Sequence, residues 1–173
     1  IRIWHHPEKG VPYVLGGDTA GEGSDRFTAH VLDNRTGAQV AELQMPLSEI
    51  QYARQIYCLG RYYNDALVAV EINHSTYPEV KLEEWHYPTL YQRERFDTYK
   101  NRMVPSLGWV TSTKTRPQML AALHTVMEEA PELVVSAWTL GEMITFVYDE
   151  NRKPQAATGE HDDLVIAAAI AHS

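Results

Sequence analysis

Cysteine is nearly absent: the 173 residues hold only Cys58. That excludes an internal disulfide and a thiolate-ligated zinc or iron–sulfur site. No apolar run exceeds Leu164–Ala171, far short of what spans a bilayer, and no stretch has the pattern of a secretory signal. An excess of positive charge is missing too. The net charge is −8, which argues against a general nucleic-acid binder unless several acids converge on divalent cations that cancel part of it. The phosphate loop Gly-x4-Gly-Lys-Ser/Thr occurs nowhere before Asp18-Thr19-Ala20-Gly21, and the Asn-Lys-x-Asp element is absent downstream, so that turn does not belong to a GTPase. No internal repeat and no low-complexity segment is found.

The composition is that of one ordinary globular domain. Residues 1–10, "IRIWHHPEKG" after a non-Met start, are expected to be the tail of a linker, with the domain occupying 11–173. "YVLGGD" (13–18) reads as a buried strand. "RFTAHVLDN" and "AQVAELQ" alternate as hairpin partners about the turn "NRTG". Ser48 caps a helix with apolar residues at Ile50, Ala53, Ile56 and Leu59. "ALVAVEIN" (66–73) is expected to be a central strand covered on both faces. Residues 77–109 read as a short helix followed by irregular or extended pieces. Further on, 116–130 predicts a helix and "ELVVS" a short strand. "AWTLGEMITFV" predicts a helix or a helix-to-strand passage, and "YDENRKPQAA" a hairpin tip. "HDDLVIAAAIAH" predicts a closing helix that is apolar or small nearly all round, hence buried against a sheet. Trp85, Trp109 and Trp138 are expected in the core. The order implies an α/β layer fold with a mixed sheet.

Three groups of acids stand where an ordinary fold has little use for them. Glu71 follows a β-branched run, on the face of Leu67 and Ala69, where a carboxylate needs a cation, strong donors or a solvated strand end. Asp18 ends "YVLGG"; it is either a turn aspartate or a ligand. The small Gly16 and Gly17 before it admit another backbone or a ligand. Asp162 and Asp163 open the last helix after Glu160 and His161, which exceeds what a cap requires. Only a fold could bring these distant acids together. An all-oxygen set of this kind suits Mg²⁺ or Mn²⁺, and two such ions could hydrolyse a phosphodiester. Positive charge gathers between residues 93 and 116: Arg93, Arg95, Lys100, Arg102, Lys114 and Arg116, with Arg152 and Lys153 further on. Each of these is either a solvated surface charge or a phosphate contact.

"GGDTAGEGSD", "VAVEIN", "LGWVTSTKTRPQML", "MITFVYDE" and "TGEHDDLVIAAAIA", in that order, resemble the nuclease domain of large terminase subunits, the genome-packaging motors of tailed bacteriophages. The likeness runs from about Val14 to His172. It implies a ribonuclease H-like α/β fold: a central mixed five-stranded sheet flanked by helices, with an extra hairpin. It implies Asp18 and Glu71 as catalytic metal ligands. By likeness to Holliday-junction resolvases, Asp163 is the direct third ligand and Asp162 its auxiliary. Asp25 and His161 are auxiliary candidates. Lys114, Arg116, Arg152 and Lys153 are the candidate DNA contacts. The implied activity is a hydrolase, a metal-dependent endonuclease with two Mg²⁺ or Mn²⁺ ions, cutting double-stranded DNA during viral genome packaging in the host cell cytoplasm. The implied partners are an N-terminal ATPase motor domain, the portal and the small terminase subunit; no membrane is involved, and the isolated domain is expected to be monomeric. The alternatives are a junction resolvase of the same fold and an inactive module binding DNA or the portal.

Overall fold

The computed structural model describes residues 1–19, 26–150 and 153–173. Asp25 and Arg152 lie outside the described residues. The chain runs β1 (Arg2–Ile3), β2 (Tyr13–Asp18), β3 (Phe27–Asp33), β4 (Gln39–Met45), α1 (Glu49–Tyr62), β5 (Leu67–Val70) and α2 (Tyr77–Glu84). It continues through β6 (Gln92–Asp97), β7 (Arg102–Leu107), α3 (Thr115–Glu129), α4 (Ala137–Thr145), β8 (Phe146–Tyr148), β9 (Pro154–Ala156) and α5 (Asp163–Ala171).

Five strands form one mixed sheet in the order β1-β4-β3-β2-β5, in which β2–β3–β4 is an antiparallel meander and β5 lies parallel to β2. This is the ribonuclease H-like arrangement that the sequence resemblance implies. Alternation decides which side chains go where. Leu15, Val68 and Val70 join a core with Tyr52, Ile56 and Leu59 of α1. Ala69 faces the other way and packs on a second core made by α3 and α5. α1 starts where Ser48 and Gln51 cap each other reciprocally, Gln51 Oε1 accepting the Ser48 N–H at 3.0 Å. α5 is buried along its whole first two turns. It can lie flat on the sheet because Gly16 has no side chain: a Cβ there would stand 2.4 Å from the Ala171 nitrogen. A Cβ on Gly17 would meet the Tyr52 hydroxyl at 2.2 Å. The two glycines therefore admit a helix backbone and a tyrosine, not a ligand.

Several expectations change or sharpen. β5 is the last strand of the sheet, with Leu67 exposed, and beyond it, among the described residues, only single bridges to Leu90 and Trp109 continue the pairing. Residues 92–107 form a regular two-stranded hairpin. "ELVVS" is a 3-10 turn followed by an extended piece with no strand partner, because the Val135 and Ser136 N–H groups donate to the Gln39 side-chain carbonyl at 2.9 and 3.0 Å. Trp138 is exposed, with the Arg2 guanidinium stacked 3.8 Å over its ring. Residues 1–10 are held against the domain. β1 pairs with β4, and Arg2 reaches the buried Glu42, whose other oxygen accepts the Thr139 hydroxyl at 2.6 Å.

Candidate metal centre

The acids singled out in the sequence meet at one end of the sheet. Asp18 closes β2 and Glu71 follows β5. These strands are parallel neighbours in register at Gly17 and Val70, so the two carboxylates leave the sheet side by side. The Glu71 N–H donates to the Gly17 carbonyl at 2.9 Å. Asp163 is the first residue of α5. Its position is set from β3: Thr28, which pairs with Asp18 across β2–β3, donates its hydroxyl to the Asp163 carbonyl at 2.8 Å. The Thr28 carbonyl in turn accepts the Tyr52 hydroxyl at 2.8 Å. Thr28 thereby fixes the helix start to the strand beside Asp18. Nothing in the sequence around Thr28 announces this, since its two partners lie far away along the chain.

Asp18, Glu71 and Asp163 are buried, and with Asp162, His161 and Arg116 they line one cavity of about 230 Å³. Burial pushes the Asp18 carboxyl well above its ordinary range; the charge of Glu71, a hydrogen bond between the two carboxyls, and the charges of Asp163 and Asp162 push it further. Asp162 precedes the helix but caps nothing with its side chain; it accepts instead from Arg116 Nη2 at 3.4 Å. His161 Nδ1 stands 3.8 Å from Asp163 Oδ2. Arg116, at the start of α3, also donates to the Pro154 carbonyl at 3.0 Å, tying the β8–β9 hairpin to the cavity rim. Lys114 is exposed and lies outside the cavity wall. Lys153 is exposed and lines a second cavity of about 1270 Å³, between α3 and the β8–β9 hairpin, which shares Arg116 and Thr111 with the first.

The fold matches that of solved structures. It aligns over 98% of its length with 85% of the magnesium-bound large terminase nuclease from thermophilic phage G20c, at a TM-score of 0.75 and 18% identity. A cobalt-bound form of the same nuclease gives a TM-score of 0.71 and 19% identity, covering 98% of this chain and 85% of that one. The Thermus phage P74-26 large terminase nuclease domain matches 99% of this chain, with 83% of its own, at 0.73 and 20%. The fold is that of a large terminase nuclease domain. No protein-family model and no curated protein sequence matches the chain.

The donor set suits a hard divalent cation. Five acids, Asp18, Glu71, Glu160, Asp162 and Asp163, and no thiolate line one cavity, and their mutual repulsion is what a cation would relieve. Among the described residues, no three His, Cys, Asp or Glu side chains already stand at ion-holding spacing. Thr111 and Arg116 also line the cavity, and their Oγ1 and Nε are cut off from solvent without a hydrogen-bond partner among the described residues. The sequence reading missed one acid nearby. Glu142 of α4 accepts the Leu164 N–H of the first turn of α5 at 2.8 Å, and burial together with the Asp163 and Asp162 charges helps raise it to about 7. It sits in a helix with no neighbouring acid to mark it out.

Proposed function

We propose that the chain is the nuclease unit of a phage large terminase, with residues 11–173 as its body and Arg2–Ile3 as the outermost strand of its sheet, an endonuclease that cuts double-stranded DNA during genome packaging. Carrying this reading is the convergence of Asp18, Glu71, Asp162 and Asp163 on one cavity that Arg116 also lines, in the fold of a terminase nuclease. Asp18, Glu71 and Asp163 would hold two Mg²⁺ or Mn²⁺ ions, with Asp162 beside them. When bound, the ions supply an activated water and offset the charge that grows on the leaving 3′ oxygen. Arg116 and Thr111 orient the phosphate by donating to its non-bridging oxygens. The Asp162 carboxylate keeps the Arg116 guanidinium aimed along the cavity. His161 orients the Asp163 carboxylate or meets the phosphate at the mouth. Lys114, Arg152 and Lys153 add backbone contacts that do not select sequence, and Asp25 acts as an auxiliary acid. On this reading the chain works in the host cytoplasm beside an ATPase motor domain, reached through residues 1–10, with the portal and small terminase subunit as partners.

Asp18→Asn tests it directly. Plasmid DNA incubated with Mg²⁺ or Mn²⁺ should be cut by the wild-type chain. The variant should lose that cleavage by at least about a thousandfold with an unchanged circular dichroism spectrum. Metal-dependent cutting that persists in Asp18→Asn overturns the assignment. Preference for branched over linear duplex DNA would move it to a junction resolvase.

A further inference from the structure

We propose that the β6–β7 hairpin is a second DNA-contacting arm that grips the phosphate backbone outside the acid cavity; this rests on reading the chain as a DNA nuclease. In an antiparallel ribbon every second residue shares a side. Arg93 and Arg95 therefore stand on one side with their cross-strand partners Ser106 and Val104, and Arg102, opposite Asp97, stands there too. Lys100 lies in the connecting turn. The other side carries Glu94, Phe96 and Met103. One acid, Asp97, sits among the cations, and its Oδ1 is engaged by the Tyr99 and Lys100 N–H groups at 2.9 and 3.0 Å, closing the turn.

What sets these four cations apart is their gathering on one ribbon; Lys9, Arg26, Arg54, Lys114 and Lys153 also hold no ion pair among the described residues but are scattered along the chain. Arg2, Arg35, Arg61, Lys81 and Arg116 each hold a carboxylate. Arg93, Arg95, Lys100 and Arg102 take part in no ion pair among the described residues, and Arg93 Nε is shielded from solvent without a hydrogen-bond partner there. A ribbon that only needed solubility would mix the signs on each side. Tyr99 at the tip is fully exposed, an aromatic ring with no packing role.

The root of the arm is fixed to the strand that presents Glu71. Tyr91 N–H donates to the Val68 carbonyl and Trp109 N–H to the Val70 carbonyl, both at 2.8 Å, and the Trp109 carbonyl accepts from Ile72 at 2.9 Å. Gly108, at φ +80°, makes the reversal between β7 and this anchor. Strands of six residues reach roughly 20 Å from that root, about six base pairs along a duplex. The arm and the acid cavity thus bear on one duplex at separate points. The polyanion that matches four unpaired cations on a chain of net charge −8 is the DNA backbone, read without sequence.

Binding is measured by fluorescence anisotropy in EDTA on a duplex of about 30 base pairs, between about 50 and 200 mM salt. The combined variant Arg95→Gln/Lys100→Gln/Arg102→Gln should weaken binding at least about tenfold and flatten the log K against log salt slope by about 3. Arg95→Lys/Arg102→Lys should keep the slope, since a phosphate contact needs charge and not geometry. Lys100→Glu, in the turn and free of strand pairing, should flatten it by about 1 or more. Unchanged slopes in the folded triple variant and in Lys100→Glu overturn the arm. Asp18→Asn separates the two readings: it should abolish cleavage and leave the arm's slope contribution intact. A wild-type chain that binds with the arm-dependent slope but never cuts DNA would sink the nuclease and keep the arm.

Discussion

Glu79 shows at the scale of one residue how burial sets chemistry. On α2 it lies beneath the sheet edge, one oxygen accepting the Val70 N–H at 3.1 Å and the other without a partner among the described residues. Burial pushes this carboxyl to about 7; the Val70 bond opposes the shift and the Glu83 charge adds to it. Unfolded, it titrates near its ordinary 4.5. Between those two values the folded chain binds the extra proton. The Glu79 contribution to stability is therefore full below about pH 4.5 and is lost as pH rises through about 7. Glu79→Gln copies the protonated form. It should match the wild type near about pH 5 and exceed it by up to roughly 3 kcal/mol near about pH 8 in urea unfolding. A difference that does not grow with pH would refute the account. Glu79 was invisible in the sequence because "YPEVKLEE" has acids at Glu79, Glu83 and Glu84, and nothing local says which of them is buried.

Among the elements, α5 carries the most consequence, because its first turn presents Asp163. Its own Asp162 does not cap it; Glu142 of α4 does, from across the helix pair, while Gln44 Nε2 donates to the other Glu142 oxygen at 3.2 Å. Glu142→Ala should destabilise the chain by about 1–2 kcal/mol, the usual loss for a removed cap, and weaken Mg²⁺ binding measured by calorimetry. Glu142→Gln, which can still accept the Leu164 N–H, should restore both. Full Mg²⁺ affinity in the Ala variant would show that the cap does not position Asp163. Elements of this kind were legible where the sequence itself carries a pattern. β3 and β4 alternate apolar with polar residues although both of their faces are buried, α1 carries its Ser48–Gln51 box, and α5 is small and apolar throughout. β6 and β7 were not legible, since "QRERFD" meets solvent on both sides and no core face imposes a pattern on it. "ELVVS" misled for the opposite reason: Val134 and Ser136 are buried in alternation, but a glutamine side chain, not a strand, takes the backbone N–H groups. Asp18, Glu71 and Asp163 were readable as acids in apolar surroundings. Thr28 and Glu142 act through neighbours distant in sequence, so no local signal existed.

The whole molecule carries a net charge of −8, with five carboxylates gathered around one cavity at the end of the sheet and unpaired cations on a ribbon rooted beside them. A duplex laid across both meets attraction at the arm and repulsion at the cavity, where the low-dielectric walls weaken screening by salt. Without divalent ions the two effects oppose, and the isolated chain should bind duplex DNA weakly. On the proposed reading Mg²⁺ would cancel the cavity charge, and adding it should tighten binding. The gain should come from the cavity alone, so it should survive in the triple arm variant, whose overall affinity is lower. Neutralising two acids at once, Asp18→Asn/Glu71→Gln, should do the reverse. Binding in EDTA should strengthen by roughly tenfold, on the order of 1 kcal/mol for removing like charge near a phosphate, and Mg²⁺ should then add nothing. Both chains are compared by anisotropy at one fixed salt concentration, with and without the ion. If Mg²⁺ tightens binding equally in wild type and double variant, the ion is acting on the DNA and not in the carboxylate cavity, and the electrostatic division of the molecule into a gripping arm and a metal-gated cavity falls.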